Sequence, residues 1–413
     1  MKMYWSVLIG MLVFFVGHTS VWAEQPIHIY LDADRTGTRD SGVAIERGIM
    51  VALDEVDYKI AGHPVTLLAC DHHGSAVRSK RHLREYLADD NALAVYSGLH
   101  SPPLLENLAY IHDKGILILD PWAAAGPITR YPSEKNWVYR LSVDDTKAAE
   151  VIVANAIGEG FSKPYLLLEE TGWGKSNYKT MTKALAKRNL FPVGVQWFNW
   201  NLGETGAKMM LRNMHAAEAD VVLMVANAPE GKTFARAMLA LEKEDPNMKP
   251  LPIRSHWGIT GGDFPREIRI EMRSRLDLKF LQTRFSFVSS PSTRESSAVL
   301  ERAKRVYPRQ IRSAADITAP TGFIHAYDLT KLFIAAVEKA QLTGDIVKDR
   351  EAVRVAMENL DQPISGLIKT YQRPFTTFSP DQPDAHEALD SEDFVMGYYD
   401  AENRIILVEE QQK

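Results

Sequence analysis

The sequence predicts an α/β protein of two lobes, each a mostly parallel sheet flanked by helices. Three observations point there. Short apolar strand patterns alternate with amphipathic helix patterns along most of the chain, and the alternation comes in two consecutive series. Residues 91–125, NALAVYSGLHSPPLLENLAYIHDKGILILDPWAAA, read as one complete strand, helix and strand unit. Parallel strands joined in this way need a right-handed crossover, so both release their loops at the same sheet edge, where open α/β folds bind small molecules. The loops Ser97 to Ser101 and Asp120 to Ala124 are therefore expected to face one crevice.

Taken in order, the chain opens with Met1-Lys2, an apolar run from Trp5 to Val16, and the small-residue ending Val21-Trp22-Ala23. That pattern predicts a signal peptide over 1–23 and a mature start near Glu24, since the run is short for a bilayer core of roughly 30 Å. Ile27 to Leu31 reads as a strand. Gly42 to Val56 reads as a helix with Val43, Ile45, Ile49, Leu53 and Val56 near helical spacing, and Val65 to Cys70 as the next strand. Ala92 to Tyr96, Ile116 to Leu119 and Trp137 to Leu141 complete the first series, with a boundary near Ser142-Val143. The second series begins with a helix at Asp144-Asp145. Its strands are Tyr165 to Leu168, Val193 to Phe198, Val221 to Val225 and Leu251 to Ile253, alternating with helices from about Lys175 to Arg188, Thr205 to Ala217 and Glu230 to Lys243.

After Phe285 the pattern changes. Helices are expected near Ser296 to Val306 and over Pro320 to Ala340, the latter with Phe323, Tyr327, Phe333 and Val337 on one apolar face and Pro320 at a start where no donor is needed. Mixed strand and turn signals follow, including a Pro-rich loop from Pro374 to Pro383 and strands at Phe394 to Tyr399 and Arg404 to Val408.

Composition sets limits. A chain of 413 residues, 45% hydrophobic, exceeds one ordinary core, and a net charge of -5 leaves no electrostatic footprint for nucleic acid. The basic cluster Arg78 to Arg84 reads as a solvated helix face. The single Cys70 cannot form an internal disulfide and no lipid-anchor cysteine follows the signal. Asp71-His72-His73, with His63 and His82, supplies metal-ligand residue types, yet no pair has the spacing that puts two on one helix face, so a solvent-facing loop is expected and no metal. Gly172-Trp173-Gly174-Lys175-Ser176 ends like a phosphate loop, but Glu169 stands where the first glycine is required. No nucleophile elbow surrounds a serine. No cofactor and no catalytic residue is expected.

Several strings in order resemble one family: Gly48-Ile49-Met50-Val51-Ala52-Leu53-Asp54-Glu55-Val56, Ala94 to Ser101, Gly115 to Ala123, Trp173-Gly174 after a strand, Ala219-Asp220-Val221-Val222, and Ala326-Tyr327-Asp328. Together they resemble the type I periplasmic binding proteins of the branched-chain amino acid and amide group, which deliver solutes to ABC importers. The resemblance implies a two-lobed Venus-flytrap fold with three crossings, lobe 1 taking 24–142 plus 285–345 and lobe 2 taking 143–284 plus 346–413. It implies a periplasmic monomer that closes on a small molecule and hands it to an ABC permease. A protein signalling to a membrane sensor would use the same fold, as would an enzyme built on it.

The resemblance also places candidate ligand contacts. Ser101 matches a serine that holds a ligand carboxylate at a helix start; the alternative is a plain helix cap before Pro102 and Pro103, which have no N–H to donate. His100 could meet a ligand or a backbone carbonyl. In Asp120-Pro121-Trp122-Ala123-Ala124 the family usually shows serine, proline, serine, alanine and threonine, so a free α-carboxylate is poorly served. Trp122, Trp173 at an aromatic contact position, and Trp257 could line the cleft or belong to the lobe cores. Asp34 and Asp120 add carboxylates, and Asn227 and Glu230 lie in a loop that reaches the cleft in the family, although Glu230 is expected only to complement a helix start. Indole faces with acidic groups suit an apolar, aromatic or cationic organic solute over simple aliphatic amino acids.

Overall fold

Two separate sheets carry the chain in the computed structural model, which describes residues 25–408. The expected signal peptide lies outside the described residues. The first sheet contains β1 (Ile27–Ala33), β2 (Lys59–Ile60), β3 (His63–Asp71), β4 (Ala92–Ser97), β5 (Ile118–Asp120) and β6 (Val138–Arg140), in the order β2-β3-β1-β4-β5-β6. All neighbours pair parallel except the short β2. The run Ala92–Ser97 is buried at every position, as a central parallel strand covered on both faces must be. In register, Ile29 lies between Leu67 and Ala94.

The second sheet contains β7 (Pro164–Glu169), β8 (Gly194–Phe198), β9 (Val221–Val225), β10 (Ile253–Ser255) and β11 (Leu278–Thr283). A two-stranded ribbon of β12 (Ile364–Ser365) and β13 (Thr370–Tyr371) stands apart, and β14 (Phe394–Tyr399) and β15 (Ile405–Leu407) complete the second sheet antiparallel, in the order β15-β14-β11-β10-β9-β7-β8.

Helix Pro320–Ala340 has the bounds its sequence predicts, and it buries Phe323, Tyr327, Phe333 and Val337. It packs closely on helix Arg39–Asp54, where Gly48 allows the approach: a Cβ there would run into the Phe323 carbonyl. Most buried apolar side chains of the first lobe gather around this pair and its sheet.

The chain passes between the sheets through 141–144, 284–293 and 388–393. Two of these passages are tied by a buried ionic cluster. Arg140 Nη2 lies 3.0 Å from Glu387 Oε1 and 3.5 Å from Asp144 Oδ2, and Lys147 Nζ lies 3.1 Å from Glu387 Oε2. The charges of Arg140, Lys147 and Arg130 outweigh burial and hold the Glu387 carboxyl down at about 2.

One expected assignment needs correction. The stretch from 346 was placed with the second lobe, but 346–389 packs on the first. Helix Ile346–Met357 sends Arg350 Nε to the Ala92 carbonyl at 2.8 Å, and Tyr139 Oη donates to the Arg354 carbonyl at 2.6 Å. Asp328 fixes the ribbon by accepting from Leu367 N, Ile368 N and Tyr371 Oη at 2.6, 3.0 and 2.7 Å. Only from β14 onward does the chain join the second sheet.

Candidate functional site

Strand order locates the crevice. In the first sheet β1 is followed by β3 on one side and β4 on the other, so the order reverses between β1 and β4. In the second, β7 is followed by β8 on one side and β9 on the other. Open sheets bind ligands beyond the strand ends at such reversals. Asp34 and His100 follow β1 and β4; Glu169 ends β7 and Asn227 follows β9. The two reversals face each other across the lobe boundary.

Asp34 organises its side of that boundary. Its carboxylate accepts from Thr36 N, Gly37 N and Thr38 N at 3.0, 2.7 and 3.1 Å, and His100 Nε2 stands 3.1 Å from Oδ2. Burial opposes ionisation, but the His100 bond and the loop amides outweigh it and hold the carboxyl well below the usual range. His100 Nδ1 is buried without a partner.

The facing group comes from the second lobe. Glu169 is completely buried; Oε1 accepts from Thr171 Oγ1 at 2.8 Å, and Oε2 accepts from Trp200 Nε1 at 3.1 Å and Asn227 Nδ2 at 3.0 Å. Burial pushes its carboxyl up to about 7. Trp200 carries the contact across: its ring centroid lies 5.2 Å from that of His100. It also covers Gly74, whose φ of +72° favours glycine and where a Cβ would stand 2.9 Å from the indole. Glu230 accepts from Asn201 N at 3.0 Å and is buried, which raises its carboxyl.

Asp34, His100 and Asn227 thus meet at one place. Ser101, Asp120, Trp122, Trp173 and Trp257 lie deeper. Ser101 does not cap its helix: Oγ accepts from Ala124 N and Ala125 N, both at 3.2 Å, and His100 takes the cap position. Asp120 Oδ1 accepts from Ser97 Oγ, Trp122 N and Ala123 N at 2.8, 3.1 and 2.8 Å, and burial raises its carboxyl to about 6. Trp122 is 1% exposed and packs on Gly322 of helix Pro320–Ala340. Trp173 Nε1 donates to Asp145 Oδ1 at 3.1 Å, and Asp145 N donates to the Ala124 carbonyl at 3.0 Å, so a short path joins the loops of the two tryptophans. Trp257 sits between His325 and Phe394, with ring centroids 5.4 and 5.9 Å away.

The lobes touch along this boundary. Arg266 pairs with Asp40 at 2.6 Å, Ser41 N donates to the Gly261 carbonyl at 3.1 Å, and Gly126 N donates to Ser176 Oγ at 3.2 Å. The loop Asp71-His72-His73 is not wholly solvent-facing as expected. His72 is buried, with Nδ1 accepting from Gly74 N at 2.9 Å, and burial lowers its ring to about 4.

Sequence reasoning missed Glu169 and Trp200 as site residues. Glu169 was visible as an acid closing the apolar run Tyr165 to Leu168, and Trp200 as an aromatic two residues past a strand; neither position resembles a family motif.

Two facing α/β lobes with buried polar groups at opposed strand ends define a solute-binding architecture. The family model described as "Periplasmic binding protein" matches residues 29–250, more than half of the chain, and the protein belongs to the type I periplasmic binding protein family. Solved structures agree in fold. A type 1 periplasmic binding protein from Bordetella pertussis Tohama I superposes with a TM-score of 0.75 at 16% identity, covering 93% of this chain and 100% of that one. A solute-binding protein from R. palustris in complex with 4-hydroxybenzoate gives 0.74 at 16%, covering 94% and 96%. The leucine-binding protein of Thermotoga maritima gives 0.69 at 14%, covering 93% and 98%. A search of curated proteins finds no significant match. No helix among the described residues is long and apolar enough to cross a membrane.

Proposed function

We propose that the protein captures a small organic solute between its lobes in the periplasm, as an exported monomer without a lipid anchor, and delivers it to an ABC permease. One observation carries this reading: the order reversals of two sheets are opposed, and buried polar atoms without partners, His100 Nδ1 and Asn227 Oδ1, stand on either side. Buried polar groups are normally satisfied, so their clustering at a lobe boundary supports a ligand that satisfies them. Closure by hinge motion is favoured by a solute that contacts both faces better than water does.

The solute is apolar, aromatic or cationic rather than a simple aliphatic amino acid. Ser101 Oγ is occupied by loop amides, Ala124 offers no hydroxyl, and the Trp200 indole stands at the boundary against His100. R. palustris proteins of this fold bind benzoate and 4-hydroxybenzoate, which supports an aromatic guest. Native mass spectrometry of freshly purified protein, followed by thermal shift against a solute library, tests the reading; a ligand selective for the folded form raises the melting temperature. If no solute in the library shifts the melt and nothing co-purifies, the reading is lost.

A further inference from the structure

We propose that the boundary site receives a positively charged nitrogen of the solute, an ammonium or amidinium, held by Glu169 and Asn227 against the Trp200 indole and His100. This rests on the solute-binding reading and narrows its substrate class.

The argument starts from the polarity of the orphaned atoms. Asp34 Oδ2 is an ionised oxygen that only accepts, so the proton shared with it resides on His100 Nε2. When the ring carries that proton alone, His100 Nδ1 is an acceptor, and it has no donor. Asn227 Nδ2 is committed to Glu169, which leaves Oδ1, also an acceptor, buried and unpaired. Deeper in the same cleft Asp145 Oδ2 and Asn177 Oδ1 are buried acceptors without donors. Trp122 Nε1 and His256 Nε2 are unpaired donors, but the first belongs to an indole packed in the first lobe and the second already faces Asp145 Oδ1 at 3.3 Å. A ligand that completes these atoms must bring donor groups, N–H or O–H, and the charge around them selects the first. A carboxylate would set acceptors against acceptors.

Charge points the same way. Asp34, Glu169 and Glu230 come from both lobes, and among the described residues no lysine or arginine side chain pairs with any of them; His100 and His73 are the only basic partners of Asp34. Glu169 is buried with neutral donors alone, and its raised carboxyl is what an acid shows when a cationic partner is missing. Trp200 completes the setting, because an indole face attracts a cation and keeps its affinity when water is excluded.

The test compares matched pairs on the full mature protein: benzylamine against benzoate, and tyramine against 4-hydroxybenzoate, by isothermal titration calorimetry. The amine of each pair should bind at least tenfold tighter. Glu169→Gln keeps size and hydrogen bonding while removing the charge, and should weaken the amines by about tenfold to a hundredfold. Preference for the benzoates, or amine binding that Glu169→Gln leaves unchanged, overturns the inference while the solute-binding reading stands. The same holds if neither pair binds but a neutral or anionic library member does. If no library member binds at all, both readings fall together.

Discussion

Trp200 of the second lobe lies over His100 of the first, ring centroids 5.2 Å apart, while its indole nitrogen donates to the buried Glu169 3.1 Å away. One side chain thus links the acid of its own lobe to the Asp34–His100 pair opposite. Large aromatic side chains at the centre of an interface commonly carry 2 kcal/mol or more of its stability. Trp200→Ala is therefore expected to shift the ligand-free protein toward an open form. Small-angle X-ray scattering should show a larger radius of gyration than wild type; an unchanged radius would mean that Trp200 is not a latch.

Much of this scaffold was legible in the chain, for identifiable reasons. Helix Pro320–Ala340 announces itself because Pro320 marks its start and its apolar face is broad. Strand Val221–Val225 is a pure apolar run, as a strand covered on both faces must be. Helix Ile346–Met357 escaped because its inward face mixes Asp349, Arg350 and Arg354 with Val353, Ala356 and Met357 while Val347 and Val355 are exposed, so its hydrophobic pattern is blurred. The wrong lobe for 346–389 came with the bounds that the resemblance implied, and no helix signal there corrected it. The site was less legible: Asp34 was already a candidate from its place at the end of a strand, but Glu169 and Trp200 gain meaning only from strand order.

Trp122 offers a sharp test of whether its indole is structural. A Cβ on Gly322 would lie 2.6 Å from Trp122 Cζ3 and 3.1 Å from Ile45 Cγ1. Neither neighbour can retreat far inside a helix-on-sheet core. Gly322→Ala should destabilise the protein by about 1–3 kcal/mol, the usual cost of overpacking, as read by denaturant unfolding. A neutral effect would place the Trp122 ring in a looser, cleft-facing setting.

The ionic cluster at the passages makes a different demand. Arg140→Met leaves Glu387 and Asp144 buried with less positive charge, and breaking such a pair typically costs about 3–5 kcal/mol. Pairing it with Glu387→Gln removes the stranded charge and should restore more than half of the loss. Urea midpoints of the two single variants and the double variant decide the matter. Additive losses would show that Arg140 and Glu387 act independently.

The buried acids predict how stability responds to pH. Burial raises Asp120 to about 6, and Glu169 and Asp328 to about 7. Each therefore binds its proton more tightly in the folded state than in the unfolded chain, and its contribution is complete at acid pH and lost as pH rises through 6 to 7. His72 and His325, which burial lowers to about 4, act oppositely: the unfolded chain binds their protons first, so their contribution falls away as pH drops below 6.5. The two trends oppose each other through neutral pH as well, because an unfolded histidine still holds half a proton at 6.5 and His112, His215 and His386 are lowered too. The Glu169 carboxyl by itself should cost the ligand-free protein roughly 1 kcal/mol between pH 6.5 and 8. Glu169→Gln should remove that loss, because an amide has no proton to release. Urea unfolding of both proteins at pH 6.5, 7.2 and 8 measures the difference, and parallel profiles would mean that Glu169 is already ionised in the fold.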